Sequence, residues 1–148
     1  MNRYINLIVL CLLILFVAYS SGEPPVKDPC DIGESFLAAL KVRNFEKLAD
    51  CFQPNVHARV LSSSKFFETS GSREVAEAFR KFFGDAETFI IEESDVEKLS
   101  GSKIHISYRF RVSFDTYYEQ QIYAVVKEGL IESYILLCSG SFKPEIKQ

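Results

Sequence analysis

The chain has 148 residues, is 47% hydrophobic, and carries 17 basic against 20 acidic side chains, a net charge of −3 at neutral pH. Such a mildly acidic balance excludes the electrostatic footprint of a nucleic-acid-binding protein or of a domain held on anionic lipid. The length suits one domain with a core of its own, and 13 Phe and 7 Tyr with no Trp make that core aromatic-rich.

Residues 1–22 have the three-part layout of a secretory signal. Met1-Asn2-Arg3 supplies one positive charge, Leu7 to Ala18 is an apolar run, and Ser20, Ser21 and Gly22 are the small residues that precede a cleavage point. The run falls short of the about 20 apolar residues that span a bilayer. A cleaved signal and a secreted or extracytoplasmic chain are therefore expected, rather than an uncleaved anchor or a stable membrane span. Cys11 lies inside the run, without the small neighbours that a lipid attachment site requires.

Residues 23–30 hold three of the five prolines and read as an extended leader; a domain follows over residues 31–143, with a tail at 144–148. Asp31 with Glu34 resembles a capping box, and Ile32, Phe36, Ala39 and Leu40 recur at helical spacing. The first helix is predicted to end near Arg43. Asn44 then caps a second, with Phe45, Leu48, Ala49 and Phe52 on one stripe and Pro54 as its stop. This helical hairpin brings the start of the first helix near the end of the second. In an oxidising compartment it predicts a disulfide between Cys30 and Cys51, leaving Cys138 as a small buried hydrophobe in an apolar strand.

From Asn55 to Leu61 the pattern alternates as a half-buried strand, with Val56, Ala58 and Val60 opposite His57 and Arg59. Phe66 to Thr69 suits a short strand after a polar loop at Ser62 to Lys65. Ser72 opens a third helix with Val75, Phe79, Phe82 and Phe83 on one stripe and Gly84 as its stop. Strands are predicted at Glu87–Glu97, Lys103–Phe114, Tyr117–Lys127 and Leu130–Ser139, with turns at Ser100-Gly101-Ser102, Asp115 and Glu128-Gly129. Three helices and an antiparallel meander, with one strand inserted between helices two and three, imply an α+β domain in which a curved sheet wraps the helices.

The stretches Phe36-Leu37-Ala38-Ala39-Leu40, Asn44-Phe45-Glu46-Lys47-Leu48, Phe52-Gln53-Pro54-Asn55-Val56 and Gly71-Ser72-Arg73-Glu74-Val75, on to Phe79 and Phe82-Phe83, resemble the opening half of the SnoaL-like group of the nuclear transport factor 2-like (NTF2-like) superfamily. The resemblance implies a cone of α+β type enclosing a pocket, and a homodimer through the outer sheet face. Its members include polyketide cyclases, ketosteroid isomerases, dehydratases and epoxide hydrolases, besides proteins that only bind or scaffold. On this pattern Phe36, Val60, Tyr108, Phe110 and Tyr134 are the candidate pocket wall.

Isomerase-like members carry a tyrosine where this chain has Phe36, an aspartate base where it has Val60, and a second acid near Gln121 or Ile122. All three groups are replaced here. The expectation is an apolar pocket for a small hydrophobic ligand, or a dimeric interaction module, without catalysis. The alternative is an isomerase, cyclase or dehydratase using another acid, for which Glu92, in the run Glu92, Glu93 and Asp95, and Tyr108 are the catalytic candidates. A charge run on a strand also suits a solvated face, and Tyr108 and Tyr134 also suit core. His57 and His105 fall on the polar sides of their strands and have no metal-ligand spacing. No metal site and no cofactor are expected, since no Gly-rich phosphate loop is present.

Overall fold

The computed structural model describes residues 28–62, 66–86, 88–113 and 116–142. The signal, all but the end of the leader, the loop residues 63–65, Phe114, Asp115 and the tail lie outside the described residues. Helix α1 (Pro29–Lys41) and the short α2 (Phe45–Ala49) precede strands β1 (Phe52–Ser62) and β2 (Phe66–Ser70); α3 (Ser72–Phe83) follows. Strands β3 (Ile90–Ser100), β4 (Lys103–Ser113), β5 (Thr116–Lys127) and β6 (Leu130–Phe142) then run as an antiparallel meander. The six strands form one curved sheet in the order β2-β1-β6-β5-β4-β3, in which only the β1–β6 pair is parallel.

Local chemistry places the first helix earlier than the capping-box pattern predicts. Pro29 takes the first turn, where its missing N–H costs nothing, and the Asp28 carboxylate accepts from the Cys30 N–H at 3.1 Å. The Asp31 N–H is already bonded to the Asp28 carbonyl, so the helix is under way at the residue expected to cap it. Gly33 faces the sheet: a Cβ there would meet a Val96 methyl at 2.6 Å, so glycine lets α1 lie close on β3 and β4. Asn44 caps α2 as expected, its side chain accepting from the Lys47 N–H at 3.0 Å. Gly71, with φ of 96°, rather than Ser72, occupies the position before α3.

The second helix stops at Ala49, short of Phe52. There the Cys51 carbonyl accepts from Ile131 N–H at 2.9 Å and Phe52 pairs with Ile131, so the chain has already entered the sheet. Pro54 lies inside β1, where the register slips between Phe52/Ile131 and His57/Ser133; that irregularity tolerates a residue with no N–H. β2 forms where a short strand is expected at Phe66 to Thr69, so two strands, β1 and β2, lie between the second and third helices. β3 starts at Ile90, three residues after the predicted Glu87. The β5–β6 hairpin turns on Glu128 and Gly129, both at positive φ (54° and 77°), as a two-residue turn requires.

The predicted Cys30–Cys51 disulfide is not formed; Cys30, Cys51 and Cys138 are free thiols. Helix length is the reason. At about 1.5 Å per residue, five residues of α2 return about 7 Å along a helix that climbs about 16 Å from Cys30 to Lys41. Cys51 thus stops part-way, near the level where Phe36 meets Phe52 edge-on at 6.1 Å. Its thiol turns onto the Lys47 carbonyl at 3.4 Å, and burial pushes it up to about 11. Cys30 sits instead beside Asp28, within the field of Lys98 on β3.

Candidate functional site

The sheet's inner face is set by strand alternation. On β4 Ile104, Ile106, Tyr108 and Phe110 all point inward and are buried, and on β5 Gln120, Ile122, Ala124 and Val126 do the same. Aromatic rings close one end of the interior. Phe110 meets Phe83 edge-on at 5.1 Å, lies 5.4 Å from Phe89 and stacks on Tyr118 at 5.5 Å. Phe36 packs edge-on against Phe52 and Phe79, so these two expected wall residues are spent on core packing. Val60 and Cys138 stay partly open.

A polar row crosses this apolar face. Tyr108, Gln120 and Cys138 are direct cross-strand neighbours on β4, β5 and β6. The Tyr108 hydroxyl donates to Gln120 Oε1, Gln120 Nε2 donates to Cys138 Sγ at 3.7 Å, and the Cys138 thiol donates to the Ser139 carbonyl at 3.5 Å. Gln120 is 3% exposed; among the described residues it is the one buried amide, and no carboxylate, histidine, Lys or Arg is buried. Burial, reinforced by nearby Tyr134 and Cys138, lifts the Tyr108 phenol well above its usual range; burial alone lifts Tyr134. Both phenols are therefore neutral donors at physiological pH.

The outer face holds the charge. Arg111 pairs with Glu92 and Arg109 with Glu93, each at 3.0 Å, and His105 lies 3.7 Å from Glu97 while stacking on Tyr123. Arg59 pairs with Glu68 at 2.8 Å and His57 bonds Ser70 at 3.1 Å. Glu92 and Tyr108 thus stand on opposite faces of one sheet and share no site. A shallow groove of about 440 Å³ crosses this face over Tyr123, Val125 and Ile135, between Arg59 and Lys103. Among the described residues no three His, Cys, Asp or Glu side chains come together to hold a metal, and no helix is long and apolar enough to cross a membrane.

The chain matches no protein-family model and no curated relative by sequence. Its similarity lies in solved structures. A candidate ketosteroid isomerase from Kribbella flavida superposes with a TM-score of 0.58 at 14% identity, over 78% of this chain and 81% of that one. A protein of unknown function with a cystatin-like fold from Xanthomonas campestris gives 0.62 at 17%, over 76% and 92%. An LEH-like epoxide hydrolase from M. tuberculosis gives 0.55 at 15%, over 75% and 82%. This is the SnoaL/NTF2-like fold.

At these identities only the fold is shared. Within the NTF2-like cone Val60 takes an inward, partly open position. Gln121, one of the two positions compared with the second acid, faces outward and accepts from the Tyr123 hydroxyl at 3.3 Å. Ile122, the other, is buried and apolar. The inward polar residue at this level is Gln120. Counting back by twos from Val126, Ala124 and Ile122 places it on the inner face, a signal the sequence carries.

Proposed function

We propose that this chain is an exported, non-enzymatic binding domain that holds a small, uncharged, largely apolar molecule inside the NTF2-like cone. One observation carries the reading: the inner polar groups Tyr108, Gln120, Tyr134 and Cys138 form a neutral set, while the acids, histidines and guanidinium groups of the sheet stand on its outer face. Proton transfer near neutrality needs a base inside the site with a pKa tuned to that pH. A buried amide and two phenols held protonated supply hydrogen bonds and no base. Native mass spectrometry of the protein purified from its own secretory route tests this, with one retained small organic molecule as the expected result. Turnover of an isomerisable or hydrolysable substrate, or an empty protein, overturns it.

A second reading, homodimerisation through the outer sheet face, rests on exposed apolar neighbours. Leu61 pairs with Leu137 and Ile135 with Tyr123 across adjacent strands, and all four are more than a third exposed. Light scattering is expected to give twice the chain mass, and Leu137→Lys to return it to one.

A further inference from the structure

The groove on the outer sheet face is built from two neighbouring rows of cross-strand partners. Lys103 on β4, Val125 on β5, Ser133 on β6 and His57 on β1 form one row, and Tyr123, Ile135 and Arg59 form the next across β5, β6 and β1. Strands stand about 4.8 Å apart, so the floor between Lys103 and the β1 side chains is about 14 Å wide. Tyr123 and Ile135 in that floor, and Leu99 at its β3 edge, are each more than a third exposed, an apolar surface left to water. The charged side chains of the lining are basic, Lys103 at one end and Arg59 at the other, and no carboxylate lines the groove, in a chain whose net charge is −3. The two ends differ. Arg59 donates from Nε to Glu68 at 2.8 Å, and His57 beside it bonds Ser70. Lys103 has no ion pair among the described residues.

We propose that this groove is a binding site for a small lipophilic anion, its carboxylate or sulfate head on the Lys103 ammonium and its apolar body across Val125, Tyr123 and Ile135 toward β1. The surface selects both parts of the ligand. A neutral apolar molecule leaves the ammonium unmatched, and an inorganic anion leaves the apolar floor wet. At about 440 Å³ the groove has the size of a small-molecule site. A second copy of this chain does not fit the same charges: a two-fold axis through the middle of the groove would set Lys103 of each copy over Arg59 of the other, base against base. Leu61 and Leu137 lie outside the groove. The site is also outside the cone, so the inference stands apart from the interior-binding reading.

The test uses three probes with one apolar chain and different heads: decyl sulfate, decanol and decyltrimethylammonium. Each is titrated at low salt, below micelle formation, into the secreted protein carrying ¹³C-labelled isoleucine and tyrosine, with affinity read from the Ile135 and Tyr123 signals. The expected result is about fivefold tighter binding of decyl sulfate than of decanol, the upper worth of an exposed ion pair, weaker binding of the ammonium probe, and a gap that closes as salt is raised. Lys103→Gln, at an exposed position, is expected to bring decyl sulfate down to the affinity of decanol, and Lys103→Arg to keep the difference. Equal binding of the three probes, or a preference for the sulfate that survives in Lys103→Gln, overturns the proposal. Shifts confined to Ile106 and Tyr108 place the amphiphile inside the cone, which overturns the groove and favours the interior reading. Sedimentation with phosphatidylglycerol vesicles without binding of decyl sulfate assigns the face to a membrane surface and overturns the free ligand, and binding of none of the three probes overturns the site.

Discussion

Along β4, Ile104, Ile106, Tyr108 and Phe110 point into the interior while His105, Ser107, Arg109 and Arg111 point out, and the two sets meet different worlds. The inward set packs against rings and a neutral hydrogen-bonded row. The outward set meets Glu97, Glu93 and Glu92 across the β3 ladder. One backbone thus presents an acid-free inner face and a salt-bridged outer one, 180° apart at each residue. The difference teaches that a cluster such as Glu92, Glu93 and Asp95 has no chemical meaning until its face is known. Here Glu92 and Glu93 balance the arginines of a neighbouring strand.

Four experiments press on that contrast. Phe110→Ala removes a ring that touches Phe83, Phe89 and Tyr118, and is expected to cost about 3–5 kcal/mol in denaturant unfolding; a loss under about 1 kcal/mol would mean the inner face is loosely packed. Gln120→Glu places an acid on the inner row. Its folded pKa is raised by burial, so the penalty is absent below the unfolded value near 4.3 and grows as pH rises. Two to three pKa units correspond to about 3–4 kcal/mol at pH 7, and melting curves at pH 4 and 7 should show the variant close to its parent only at pH 4.

The third experiment is alkaline titration. Cys51 is raised to about 11, and Tyr108 and Tyr134 are raised as well, so their contribution is complete below the unfolded thiol value near 9 and is lost as pH rises through about 11. A melting temperature that stays flat from pH 8 to 11 would put these groups in contact with water. The smallest effect belongs to the outer face: Glu92→Gln breaks a partly exposed pair with Arg111 and is expected to change stability by less than about 0.5 kcal/mol.

Much of this was legible in the residues themselves. The period-two run of β4, the Asn44 cap, the Glu128-Gly129 turn and the stripe of α3 are local signals, and local signals survive folding. What the residues hide is tertiary. Nothing near Ala49 announces that the Cys51 carbonyl will bond Ile131, some 80 residues on, and that single pairing shortens α2, draws Pro54 into a strand and carries Cys51 away from Cys30. For the site, Tyr108 and Tyr134 are readable as inward by parity. That the Tyr108 hydroxyl is spent on Gln120, and Gln120 in turn on Cys138, depends on side-chain positions across three strands.

The place of β6 has a consequence for how the molecule is made. β6, the last of the described strands in chain order, lies between β1 and β5, so without it the β2-β1 hairpin has no ladder joining it to the meander. Contacts between segments far apart in sequence close slowly. A chain lacking residues beyond Gly129 is therefore expected to remain protease-sensitive, and the domain to assemble only once β6 is present. The strand that locks the sheet is thus the last of the six in chain order.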